Sequence, residues 1–207
     1  MKRKTLLQSF LLAFVIILGF VLIPRAPEIG DRFRLINYQP TEEIEKLADN
    51  AGMNQRGRRL FYVYSPEFSS QPKLDDACGK ATKPIGCISG TKILIKRPQS
   101  KSDNSEATVT AAHEMLHVAY SRLTKKDKAG IDELINNDIT NLDTSIRDDI
   151  EEYRGSGDKI MVDEAYAIIG SEANNLVPEL EKHYAQFFSN RQKTVSAYEQ
   201  SQAAQKL

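Results

Sequence analysis

From Leu6 to Ile23 the chain runs for eighteen residues without a charge, and only Gln8 and Ser9 among them are clearly polar. Nothing polar marks an outward face between Phe10 and Ile23, so a helix over this run has no side suited to water. Eighteen residues at about 1.5 Å each span about 27 Å, close to the hydrocarbon thickness of a bilayer. Lys2, Arg3 and Lys4 precede the run and favour a cytoplasmic N-terminus. A cleaved signal peptide would end on a small-x-small site. VLIPRAPEIG instead places Pro24 where the small partner of Ala26 should stand. The expectation is an uncleaved, single-pass anchor over residues 1–25, followed by a juxtamembrane linker over 26–40. The folded domain, 41–207, then lies on the extracytoplasmic side of the cell membrane.

That placement bears on the cysteines. Cys78 and Cys87 are the only two in the chain, and the eight residues between them contain two glycines and a proline. An oxidising compartment and an even count favour a disulfide between them. Neither belongs to a CxxC pair, so a zinc knuckle is disfavoured. Formal net charge is zero, which gives no support to a nucleic-acid partner.

Local pattern predicts an α+β arrangement. Thr41 can cap a helix carrying Ile44, Leu47, Ala48 and Ala51. RLFYVYSPE, ended by Pro66, reads as a strand. TKILIKRP, ended by Pro98, reads as a second strand, with Ile93 and Ile95 buried and Leu94 on the wetter face with Lys92 and Lys96. Val109, Ala112, Leu116, Tyr120 and Leu123 recur at steps of three or four and predict a helix. DKIMVDEAYAIIG predicts another, ending near Gly170. Pro178 opens a long final helix bearing Leu180, Tyr184, Phe187, Val195 and Tyr198. The acidic stretch RDDIEE lacks the spacing of a calcium loop and reads as a solvated face.

The first of these two helices carries AAHEMLHVAY. Residues four apart on a helix share a face about 6 Å apart, so the His113 and His117 imidazoles can converge on one Zn²⁺. Glu114 projects about 100° away around the helix. There it can serve as general base to a zinc-bound water attacking a carbonyl. The competing reading is two part-buried core histidines beside a solvated glutamate. A catalytic zinc commonly takes three protein ligands. The extension HExxHxxGxxH is absent, because Tyr120 and Leu123 occupy the required positions. Glu164 is the best third ligand, since it lies against the apolar stripe of Met161, Ala165 and Ile168, where a lone carboxylate is costly. A salt bridge would also satisfy it. Glu172, Asp163 and His183 are weaker rivals. His183, Tyr184 and Tyr166 are candidates to stabilise an oxyanion.

With HEMLH and DEAYAIIG both present, the chain resembles the gluzincin metallopeptidases in a minimal form, over residues 59 to 190. The resemblance implies a zincin-like domain, with a small sheet before the HExxH helix and a mainly helical C-terminal half. It assigns His113, His117 and Glu164 to the metal, Glu114 to the base, and TKILIKRP to the edge strand that pairs with an extended peptide. One departure stands out. Many members carry an aspartate four residues after the ligand glutamate to orient the first histidine, and Ile168 occupies that place here. A backbone carbonyl or an acid such as Asp163 could substitute. The implied function is a membrane-anchored zinc metalloendopeptidase acting on proteins or peptides. The alternatives are an inactive zinc-binding relative and a metal-free tethered interaction domain.

Overall fold

Asn54 decides the first departure from the sequence pattern. Its Oδ1 accepts hydrogen bonds from the Arg56 and Gly57 amides at 2.9 and 3.0 Å, which caps a helix where RLFYVYSPE suggests a strand. Leu60 and Phe61 are thereby buried from a helical face, and extended backbone is confined to Glu67–Ser69. The structure is a computed structural model that describes residues 26–79, 83–98, 104–153 and 158–205.

The chain divides into two units, Met1–Gln39 and Pro40–Leu207. In the first, helix α1 spans Ala26–Ile36, where the sequence suggested a linker with extended structure. In the second, α2 (Glu42–Asn50), α3 (Gln55–Tyr62), β1 (Glu67–Ser69), α4 (Gln71–Cys78), β2 (Gly86–Ser89) and β3 (Lys92–Lys96) precede a helical half. That half contains α5 (Ser105–Ser121), α6 (Lys125–Asp138), α7 (Thr144–Glu152), α8 (Asp158–Glu172), α9 (Pro178–Tyr184) and α10 (Gln192–Gln205). The expected α+β, zincin-like class is therefore corrected: the described chain is mostly helical, and its one sheet is a small three-stranded one.

The membrane placement is corrected as well. No helix among the described residues is long and apolar enough to cross a membrane. The anchor expected over residues 1–25 lies outside the described residues, and a single-pass, extracytoplasmic placement has no support in the structure.

The sheet has the order β1-β3-β2, with β1 parallel and β2 antiparallel to β3. Gly90 turns the β2–β3 hairpin with φ +60°, a conformation glycine adopts without penalty. β3 is thus central, and the strand left on the cleft side is β2, not the TKILIKRP segment. Centrality also explains why Leu94 is buried along with Ile93 and Ile95: α4 packs on its side of the sheet through Leu74. The Cys78–Cys87 disulfide joins the end of α4 to β2, with the two Cα atoms 6.0 Å apart.

α5 lies at the centre of the core. Ala111, Ala112, Met115 and Leu116 are fully enclosed, and α8, α10, α3 and α2 pack around it. The expected single C-terminal helix is two. Between α9 and α10, Ser189 donates its amide to the Gly52 carbonyl at 2.8 Å. Arg191, buried, pairs with Glu181 and donates to the Ala173 carbonyl at 2.7 Å. These contacts to distant backbone interrupt the helix and tie its two pieces to the end of α8.

Candidate metal centre

α5 and α8 lie side by side, and that pairing builds the site. The periodicity that buries Ala112 and Leu116 leaves His113 and His117 on one flank, each about one-seventh exposed. Their Nε2 atoms stand 3.1 Å apart. From α8, Glu164 reaches both rings, with Oε2 at 3.4 Å from His113 Nε2 and Oε1 at 3.5 Å from His117 Nε2. The three donor atoms lie within 4.8 Å of one another, and His113, His117 and Glu164 together could hold a metal ion.

The opposite ring nitrogens face carboxylates as well. His117 Nδ1 is 3.2 Å from Asp163 Oδ1, and His113 Nδ1 is 3.9 Å from Glu172 Oε1. Asp163 Oδ1 is buried, and its placement at His117 is an ion-pair contact rather than an aligned hydrogen bond. Glu172 lies two helical turns beyond Glu164 and is the acid that faces His113 Nδ1, where Ile168 offers no polar group. Each imidazole thereby has one nitrogen directed inward and an acid beside the other. That arrangement selects a tautomer and holds the ring orientation.

The electrostatics follow from this crowding. Burial opposes charge on His117, but the carboxylates of Asp163 and Glu164 outweigh it and push the ring up to about 10. Burial alone would raise Glu164; the two histidines pull it down to about 2 instead. Glu172 is lifted to about 7 by burial, with His113 opposing. Glu114 is also raised by burial, against the pull of His113 and His117. It is only 6% exposed, and its carboxylate makes no hydrogen bond among the described residues.

All of these groups line one cleft of about 960 Å³. β2 forms part of its wall and approaches α5 closely. A Cβ at Gly86 would lie 2.3 Å from Thr110 Cγ2 and 3.4 Å from Glu114 Oε1. Only glycine permits this approach without displacement.

The three residues considered for oxyanion stabilisation are elsewhere. Tyr166, Tyr184 and His183 form an aromatic cluster under α5 and do not line the cleft. Tyr166 Oη and His183 Nε2 are 2.8 Å apart, and Tyr184 donates to the Tyr166 carbonyl at 2.8 Å. His183 is lowered to about 4 by burial and by the positive charge of Arg56. Tyr153 and Tyr198 are at the cleft instead. The Tyr198 hydroxyl donates to Asp149 Oδ2 at 3.0 Å. The Tyr153 hydroxyl makes no hydrogen bond among the described residues, and burial with the nearby Glu164 and Glu172 pushes it up to about 12. Neither tyrosine has a local motif that announces it. The acidic stretch read as a solvated face in fact brings Asp149 and Glu152 to the cleft.

No family model, no curated protein and no solved structure matches this chain.

Proposed function

We propose that the protein is a zinc metallopeptidase that cleaves internal bonds of extended peptides, with His113, His117 and Glu164 as metal ligands and Glu114 as general base. One observation carries the reading. Three donor atoms on two helices face a common point at the mouth of a cleft that also holds a buried, unpartnered carboxylate. Bonds of 2.0–2.1 Å in a tetrahedron put neighbouring ligand atoms about 3.4 Å apart. Here the two Nε2 atoms are 3.1 Å apart, Glu164 reaches them with a different oxygen each, at 3.4 and 3.5 Å, and one donor atom from each residue lies within 4.8 Å of the others. Two imidazoles and one carboxylate are a donor set suited to zinc, and one position stays open for chemistry. The order HExxH followed by a glutamate on a later helix is also that of the gluzincins, a likeness of motif alone.

Zinc bound there would polarise a scissile carbonyl and ease the deprotonation of water. The chain's own residues account for the other steps. Glu114 takes a proton as the water oxygen attacks the carbonyl carbon. It then returns that proton to the departing amine as the C–N bond breaks. Asp163 and Glu172 keep the two rings oriented. Tyr153 offers a hydroxyl donor to the charge developing on the carbonyl oxygen. β2 is an edge strand beside the cleft, which suits main-chain pairing with an extended substrate.

The test uses the full chain. Zinc should be present at one equivalent by elemental analysis, and a mixed peptide library should show internal cleavage by mass spectrometry. Glu114→Gln should retain zinc and lose cleavage by about 10²–10⁴-fold. Cleavage unaltered by Glu114→Gln rejects the base assignment. Zinc without any cleavage rejects the hydrolase and leaves a metal-binding domain.

A further inference from the structure

Asp149 and Glu152 belong to the last turn of α7 and line the metal cleft, yet no step of hydrolysis uses them. The end of a helix is the negative pole of its dipole, so the backbone adds to their charge. Tyr198 donates its hydroxyl to Asp149 Oδ2 at 3.0 Å. That contact holds the carboxylate in place and leaves Oδ1 without a hydrogen bond among the described residues. Glu172 links this acidic end to the metal centre: its carboxylate is 3.9 Å from His113 Nδ1 and close enough to Asp149 for the two charges to repel.

Other acids of the chain have a basic partner. Glu67 holds Lys73 and Lys92, Glu106 holds Lys96, and Glu181 holds Arg191. Asp149, Glu152 and Glu172 pair with no Lys or Arg among the described residues. Burial, reinforced by the charges of Glu152 and Asp148, pushes the Asp149 carboxyl up against the hold of Tyr198. A cation at this place would remove that cost. That the cleft takes a ligand rests on other groups. His113, His117 and Glu164 converge there, and the Glu114 carboxylate, 6% exposed, makes no hydrogen bond among the described residues.

β2 fixes how an extended peptide would run past these acids. Lys96 donates its amide to the Ile85 carbonyl at 2.8 Å, and bonded and non-bonded pairs alternate along an antiparallel ladder. Gly86 and Ile88, opposite Ile95 and Ile93, therefore turn their amides and carbonyls away from β3, to the open edge. Gly86 is also where β2 nears the base, since an added Cβ would stand 3.4 Å from Glu114 Oε1. A peptide paired there brings its main chain to Glu114 and leaves its side chains to be sorted by the cleft lining.

Resting on the peptidase reading above, we infer that the enzyme selects substrates with a lysine or arginine side chain beside the scissile bond, whose cationic end is received by Asp149 and Glu152. The long apolar stem of either residue passes the reacting carbonyl, and its charged end meets two carboxylates. A Glu at the same position meets like charge and is rejected.

The zinc-loaded full chain, assayed on peptides that differ only in the residues flanking the bond cut, tests this. Each flanking position carries Lys, Arg, Ala, Leu or Glu in turn. At one of them kcat/KM should be at least about tenfold higher with Lys or Arg than with Ala, and lowest with Glu. Asp149→Asn keeps an acceptor for Tyr198. Combined with Glu152→Gln, it should cut the Lys-to-Ala ratio by at least about fivefold, chiefly through KM. The substrate series alone decides the preference if the double variant fails to fold. Similar rates for all five residues, or a basic preference unchanged in the folded double variant, overturn the inference and leave the peptidase standing. No cleavage of any peptide by the zinc-loaded chain overturns both.

Discussion

α5 begins at a pocket lined by lysines and continues into a cleft lined by acids. Beside His113 and His117 the cleft gathers Glu114, Asp149, Glu152, Asp163, Glu164 and Glu172, and Lys83 is the one Lys or Arg among the described residues lining it. At the helix N-terminus, Lys46 and Lys193 stand with no carboxylate among the described lining residues. A formal net charge of zero hides this separation. The comparison teaches that the average charge of a chain says little about its sites. Carboxylates held together at low exposure repel one another unless a cation joins them, and the two imidazoles supply only part of that charge. The two lysines are exposed and pose no such problem.

The largest effect should come from breaking one end and reading both. His117→Ala combined with Glu164→Gln removes two of the three donors. Zinc affinity should fall by well over about 100-fold, the upper figure for losing only an outer partner. The amide signals at the start of α5 should stay unchanged, as expected for regions without shared groups. Shifts there as large as those beside His117 would mean that α5 couples its two ends.

Removing one orienting acid at a time should have a smaller effect. Asp163→Asn and Glu172→Gln leave all three donors in place, and each should reduce zinc affinity by about 10–100-fold, measured by competition with a chromophoric chelator. Equal affinities in wild type and both variants would show that the rings need no orienting partner here.

Much of this cleft was legible in the sequence, and the reason is helical period. His113, Glu114 and His117 are placed by a repeat that also buries Ala112 and Leu116, so backbone and chemistry share one signal. Glu164 stood out because its carboxylate interrupts an apolar stripe. The position of Glu172 beside His113 was hidden, since it depends on how α8 lies against α5 rather than on distance along the chain. The oxyanion candidates misled for the same reason: apolar neighbours mark Tyr166 and Tyr184 equally well as core residues, and the structure buries them there. RLFYVYSPE misled because alternation within a short aromatic run competes poorly with the cap at Asn54. The lysine-lined pocket has no local signature at all, because α2, the start of α5 and α10 meet only on folding.

Gly86 tests the contact that lets β2 reach Glu114. Gly86→Ala would press a methyl group to 2.3 Å from Thr110 Cγ2 and 3.1 Å from the Leu94 carbonyl oxygen. The cost should be about 1–3 kcal/mol in urea-induced unfolding. Gly130 supplies the control. It lies within α6 with nothing within 4 Å of an added Cβ, so Gly130→Ala should stabilise by about 0.5–1 kcal/mol. If both substitutions proved neutral, the close approach of β2 would have no energetic weight.

The smallest effect belongs to a charge cluster that is already balanced. Glu67 pairs with both Lys73 and Lys92 on the exposed side of β1, and these two lysines hold its carboxyl below the ordinary glutamate range against a smaller effect of burial. A carboxylate whose folded pKa is depressed contributes stability above its unfolded pKa, and loses that contribution as pH falls through the folded value. Wild type should therefore exceed Glu67→Gln by about 0.5 kcal/mol near pH 7, a surface-pair magnitude reduced further by salt. The difference should vanish once the pH is well below the ordinary carboxylate range. Urea midpoints at pH 7 and at strongly acidic pH measure both limits. A difference that persists in acid would assign the effect to hydrogen bonding of the terminal group rather than to its charge. A balanced triad of this kind needs no further ion, unlike the acids along α5, and that contrast explains why its removal should matter least.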